Sequence, residues 1–280
     1  MKREDLIAPD NYNIVKDIEK YAEEPEKLAL MYMDKTGLRQ EITYKNLLDN
    51  VNRVGNVLLE NGLKKGDKLL VMVPRLVEAY EVYLAALKTG IIIIPSSDML
   101  TTSDLQYRVS HAGVTGVVSI YSSAEAYKGL EQYEDLIKFS LGDKVDGWHH
   151  LDELKKDAST SLSIQTSSKD DIAFLPYTSG TTSNPKAVVH THGWGYAHLR
   201  TAADNWLAIE ENDKVWATAA PGWQKWVWSP LLATLGSGAT GFVYNGRFNA
   251  EHYLHLLETE EINVLCCTPT EYRIMQNLMN

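Results

Sequence analysis

The sequence predicts an α/β fold of mainly parallel sheets flanked by helices. Three observations point there. Short apolar runs alternate along the chain with stretches whose apolar residues recur at helical spacing. One run, Ile91-Ile92-Ile93-Ile94, is apolar at every position, as expected of a strand buried on both faces of a parallel sheet. The balance of 44% hydrophobic and 23% charged residues is that of a folded protein rather than a disordered one.

The elements follow in order. Met31 and Met33 alternate with Tyr32 and read as strand core. Lys68 to Pro74 reads as a buried strand, Leu76 to Thr89 as a helix stopped by Gly90, and Ile91 to Ile94 as the next strand. Thr102 to His111 reads as a helix capped by Thr102 or Ser103, and Thr115 to Ile120 as a third strand. His149-His150 reads as a surface turn, and the serine- and threonine-rich 157–170 as a linker or surface loop. Strands are then expected at 171–177, 186–191, 214–219, 239–244 and 262–268, with helices at 195–207 and 249–260. Thr268-Pro269 fits an N-cap followed by proline in the first turn of a last helix.

Bulk properties exclude several classes. The formal net charge of -10 over 280 residues repels nucleic acid. It does not exclude a small anion, because aligned backbone dipoles and one lysine reverse the field locally. The two cysteines, Cys266 and Cys267, are adjacent and show no zinc spacing. No signal-like apolar run follows Met1, and no run is long enough to span a bilayer. A cytoplasmic location is the expectation.

One segment carries chemistry: Tyr177, Thr178, Ser179, Gly180, Thr181, Thr182, Ser183, Asn184, Pro185 and Lys186. It lies between two expected strands and is dense in hydroxyls. Phosphate oxygens take many short-range donors and at least one positive charge, and Lys186 supplies the charge. Gly180 lets the backbone wrap an anion. The alternative is an exposed serine- and threonine-rich turn; flanking strands and the Pro-Lys ending favour phosphate. It is not a Walker A loop, since Pro185 and Ala187 stand where that motif needs Gly and Ser or Thr.

The segment resembles the phosphate-binding signature of the acyl-adenylate-forming enzymes, which reads Y-T-S-G-T-T-G-x-P-K-G. Ser183 and Ala187 depart from its glycines. Leu69 to Pro95 is similar to the family's strand–helix–strand. Ala219-Ala220-Pro221-Gly222-Trp223 is similar to the T-A-D-x-G-W segment of acetyl- and medium-chain acyl-CoA synthetases. Cys267 to Arg273 is similar to their A-P-P-T-x-Y-R segment, and the resemblance runs from about Lys27 to the end.

The resemblance implies two α/β subdomains of a large amino-terminal domain, truncated. Residues 1–64 are expected to pack with the second subdomain. Residues 65–200 form the first, ending in the phosphate loop, and 201–280 begin the second. It implies a ligase that joins a carboxylic acid to CoA through an acyl-adenylate, with ATP, Mg2+ and CoA. Thr178, Ser179, Gly180, Thr181, Thr182, Ser183, Asn184, Pro185 and Lys186 would hold the β- and γ-phosphates. Trp223 would border the acyl and adenylate pocket; its alternative is a core tryptophan. No residue is assigned a catalytic or metal-binding role. The family's Y-G-x-T-E and T-G-D segments, its far-terminal lysine and its mobile domain do not occur in these residues, so the chain alone is expected to be inactive. The alternatives are a non-catalytic nucleotide-binding remnant, or another adenylate-forming ligase.

Other features read plainly. His190 and His192 are spaced for one strand face but lack a third ligand nearby. Arg75 and Arg273 are either phosphate contacts or ordinary surface and strand-cap arginines.

Overall fold

The structure is a computed structural model that describes residues 2–178 and 184–279. Among these, fourteen strands form two large sheets and one short hairpin. β1 (Leu28–Asp34) and β2 (Arg39–Thr43) precede helix α1 (Tyr44–Glu60). β3 (Lys68–Met72), α2 (Val77–Thr89), β4 (Ile92–Pro95), α3 (Thr102–Ala112) and β5 (Gly116–Ile120) give the βαβαβ unit expected from the sequence. β6 (Ile137–Leu141), β7 (His149–His150) and α4 (Leu151–Asp157) follow.

Beyond them lie β8 (Ile172–Phe174), β9 (Tyr177–Thr178), β10 (Lys186–Ala187), β11 (His190–Thr191) and α5 (His192–Thr201). The last elements are β12 (Lys214–Ala217), β13 (Thr240–Asn245), α6 (Ala250–Thr259), β14 (Val264–Cys266) and α7 (Pro269–Met279).

The seven-stranded sheet runs β11-β8-β4-β3-β5-β6-β7, parallel except for β11. The five-stranded sheet runs β14-β12-β13-β1-β2, parallel except for β2. The amino-terminal β1 thus lies beside β13, far away in sequence.

Side chains alternate across these sheets with period two. Leu69, Val71 and Ile93 enter one core, shared with α1, α2 and Trp226. Leu70, Met72, Ile94 and Val117 enter another, shared with Leu105 and Val109 of α3. Met33, Trp216, Phe242 and Tyr244 form a third beneath Tyr253 of α6. The layers are therefore helix, sheet, helix, sheet, helix. α2 occupies the middle and is buried from Ala79 through Thr89. It buries two charges, each paired with a more exposed partner: Glu81 with Lys155 at 2.9 Å, and Lys88 with Glu19 at 2.8 Å.

Several elements differ from the sequence expectation. The strand expected at 186–191 is broken, because Lys186–Ala187 pairs with β9 while His190–Thr191 turns to pair with β8. α3 is capped by Thr101, not Thr102 or Ser103; its hydroxyl accepts from Asp104 N while Asp104 returns to Thr101 N. The helix expected from Gly195 begins at His192, with Thr191 accepting from Trp194 N. His149-His150 is an edge strand, not a turn. The 157–170 segment is tied to α1 rather than free: Asn52, Arg53 and Asn56 donate to carbonyl oxygens of Thr160, Ala158 and Ser159.

Candidate functional site

The site lies where the carboxyl ends of the parallel strands of both sheets meet, the usual position of ligands in such folds. β9 and β10 form a two-pair antiparallel ladder, Thr178 with Lys186 and Tyr177 with Ala187. Val188 N adds a bond to the Pro176 carbonyl at 2.9 Å. Of the expected phosphate-binding residues, Thr178, Asn184, Pro185 and Lys186 are described, and Ser179, Gly180, Thr181, Thr182 and Ser183 lie outside the described residues. Asn184 and Lys186 are exposed, and Pro185 is half-buried.

Beside the hairpin opens a cleft of about 320 Å³, lined by Pro95 to Ser97, Met99, Leu100, Arg108, Tyr177, Gly222 and Trp223. Trp223 is 56% exposed, so it is a cleft residue and not a core tryptophan. The fold thus brings Tyr177, at the root of the hairpin, and Trp223, in the loop after β12, to one cavity.

Local chemistry fixes Trp223. It follows β12 through Thr218 and Ala219, whose carbonyl oxygens accept from Arg75 at 2.7 Å and 3.4 Å. Arg75 is therefore a cap that ties the end of β3 to the end of β12. The Thr218 hydroxyl donates to Glu271 at 2.8 Å, and Glu271 also accepts from Thr268 N, completing the cap expected at the start of α7. Gly222 has φ +96°, and a Cβ there would lie 2.5 Å from the Ser96 carbonyl oxygen. Only glycine lets the two loops approach this closely.

Beyond that approach, a second cleft of about 510 Å³ is lined by Lys35, Val73, Pro74, Arg75, Asp98, Ala220, Pro221, Tyr244, Asn245, Gly246 and Arg247. These residues follow the carboxyl ends of β1, β3, β4, β12 and β13. Three cations and one carboxylate line the cleft, which favours an anion despite the chain's acidic balance.

Electrostatics near the hairpin follow burial. Desolvation lowers the Arg108 guanidinium from its ordinary value and raises the Tyr177 phenol. It lowers His190 and His198, and holds His192 at about 4. His190 and His192 do not converge on a shared site. His190 packs on the Trp194 ring, centroids 4.2 Å apart, and His192 Nδ1 accepts from Ile14 N at 3.2 Å. Among the described residues no group of three or more His, Cys, Asp or Glu is arranged to hold a metal.

Sequence reasoning did not single out Tyr107, Arg108 and His111 of α3, which contact the hairpin, nor Lys35 and Arg247. The first three carried a signal, two rings and a guanidinium at helical spacing. Lys35 and Arg247 carried none, because only the pairing of β1 with β13 brings them together.

Comparison with known proteins bears on the family and the fold. The family profile described as AMP-binding enzyme matches residues 18–280. An uncharacterised acyl-CoA ligase of Bacillus subtilis, YtcI, is 54% identical over 275 residues, covering 98% of this chain and 52% of its own length. The human mitochondrial acyl-coenzyme A synthetase ACSM3 is 28% identical over 282 residues, covering 96% and 48%. The crystal structure of a Brucella canis acyl-CoA synthetase superposes with a TM-score of 0.89 at 22% identity, covering 98% of this chain and 51% of that one. The chain spans about half the length of the curated relatives it matches.

Proposed function

The chain belongs to the AMP-binding enzyme family, and from that premise we propose that it supplies the nucleotide-binding part of an ATP-dependent carboxylic acid:CoA ligase. In this reaction a carboxylate oxygen attacks the α-phosphorus of ATP. The bond to the pyrophosphate oxygen breaks, leaving an acyl-adenylate. The CoA thiol then attacks the acyl carbon, forming the thioester and releasing AMP.

The carrying observation is the pairing of Thr178 with Lys186, which brings both ends of the hydroxyl-rich turn together at the cleft lined by Tyr177 and Trp223. Thr178, Ser179, Gly180, Thr181, Thr182, Ser183, Asn184, Pro185 and Lys186 are proposed to hold the β- and γ-phosphates. Hydroxyls and backbone amides donate there, and Lys186 offsets the charge. Trp223 is proposed to border the acyl group. Lys35, Arg75 and Arg247 suit the phosphorylated end of CoA.

Mg2+ is proposed to accompany the ATP phosphates. When bound, it would neutralise phosphate charge. No described helix is long and apolar enough to cross a membrane, which is compatible with the cytoplasmic setting we propose. Divisions near residues 64 and 200 remain our proposed organisation of the chain.

The test is a chimera in which this chain replaces the matching half of the Bacillus subtilis relative. The proposal predicts ATP–pyrophosphate exchange that depends on an added carboxylic acid, across a panel of short and medium acids. Exchange with none of them, by a folded chimera that binds ATP, would contradict it.

A further inference from the structure

One helix touches both stems of the β9–β10 hairpin. From α3, the Tyr107 hydroxyl donates to the Pro185 carbonyl oxygen at 3.0 Å, on the outgoing stem. One turn later, His111 Nδ1 lies 2.8 Å from the Tyr177 hydroxyl, on the ingoing stem. Between them the Arg108 guanidinium sits 5.3 Å from the centre of the Tyr177 ring. The Tyr107 and His111 rings stack at 5.3 Å. Positions i and i+4 share a helix face, so one face of α3 presents both contacts.

Among the described residues the hairpin's ladder has two residue pairs and the added Val188 N to Pro176 carbonyl bond. An isolated two-stranded hairpin is marginal in water, so contacts from outside it matter. Pro185 has no N–H, so its carbonyl is the one backbone group by which that residue can be held. α3, by contrast, is fixed. Leu105 and Val109 are buried in the core, a capping box closes its start, and Arg108 donates to the Asp104 carbonyl at 2.9 Å.

We infer that Tyr107 and His111 are positioning residues that set the spacing and direction of the two stems, and through them the placement of Thr178 and Lys186. This inference rests on the triphosphate reading of the turn. Binding to a fractionally populated competent geometry weakens apparent affinity by that fraction. Loosening either stem therefore lowers nucleotide affinity without touching the nucleotide.

The test is calorimetric titration of the 280-residue chain with Mg·ATP, paired with melting curves. Tyr107→Phe and His111→Ala should each weaken binding about 3- to 10-fold, the worth of one hydrogen bond, with melting temperature unchanged. His111→Asn, which keeps a polar partner for Tyr177, should recover most of the loss. His111→Ala should add nothing in a Tyr177→Phe background. If these variants bind as the parent does while Lys186→Ala loses binding, the positioning role is overturned and the triphosphate reading stands. If the affinity losses merely follow losses of melting temperature, the positioning role is again overturned. If Lys186→Ala leaves titration unchanged, absent binding included, both readings fall.

Discussion

Thr178 and Lys186 face each other directly across β9 and β10. The first and last residues of a turn dense in hydroxyls therefore stand side by side, held by α3, whose Arg108 lines the same cleft as Trp223. An anion held by the turn would meet donors from both stems and one lysine charge.

Gly222→Ala should destabilise the chain by ~2–4 kcal/mol, combining a positive φ with overpacking against a backbone oxygen. Its Cβ would meet Ser96 at 2.5 Å, and neither loop can move without disturbing its own sheet. Urea denaturation checks this; a loss below ~0.5 kcal/mol, the usual surface range, would show that the close approach relaxes freely.

Stability should fall as the pH is lowered from about 6.5 to about 4. Burial depresses His192 from 6.5 to about 4, Asp171 opposes the shift and Lys65 adds to it. The unfolded chain binds a proton in this window and the folded chain does not, so stability is fully present above 6.5 and is lost as the pH falls. The ceiling for this group is ~3 kcal/mol. Protonation would also remove the acceptor for Ile14 N. Urea midpoints at pH 8, 6 and 5 should drop in that order, and His192→Asn should flatten the slope. His190 and His198, also lowered by burial, leave a smaller slope of the same sign.

Glu81→Ala should cost ~2–4 kcal/mol by stranding Lys155 and Asn50 around a buried gap. Removing both charges in Glu81→Met with Lys155→Met should restore most of that loss. A double variant no more stable than the single one would show that the helix α2 carboxylate is valued for more than its pairing.

Trp223→Ala should shift acid preference in the chimera toward bulkier carboxylates, with little change in melting temperature because the ring is 56% exposed. One methylene in an apolar pocket is worth about 1–3 kcal/mol, so the shift should be 10-fold or more in kcat/KM. Equal loss for every acid would place the ring outside the acyl pocket.

Much of this arrangement was legible in the sequence, for reasons that differ by element. Ile91 to Ile94 announced a central strand because burial on both faces admits no polar residue. Gly90 ended α2 as expected, with φ +74°. α1 was not among the expected elements, although Leu47, Leu48, Val51, Val54 and Leu58 keep helical spacing and are buried. β6 and β7 escaped because β6 buries Lys138 and Ser140 among its apolar residues and β7 has only two residues. The break between Ala187 and His190 was not legible, since a change of partner strand leaves no mark on hydrophobic pattern. The phosphate turn was legible as composition and motif. The helix that supports it was not, because the contacts of Tyr107 and His111 with Pro185 and Tyr177 join segments far apart in sequence.

The most direct measurement is calorimetric titration of Mg·ATP into the chain and its Lys186→Ala variant at matched ionic strength. Lys186 is exposed, so the variant should fold normally. The account predicts a loss of affinity of roughly 10- to 100-fold, the range of a charge-assisted hydrogen bond. Equal affinity in the two proteins would contradict it.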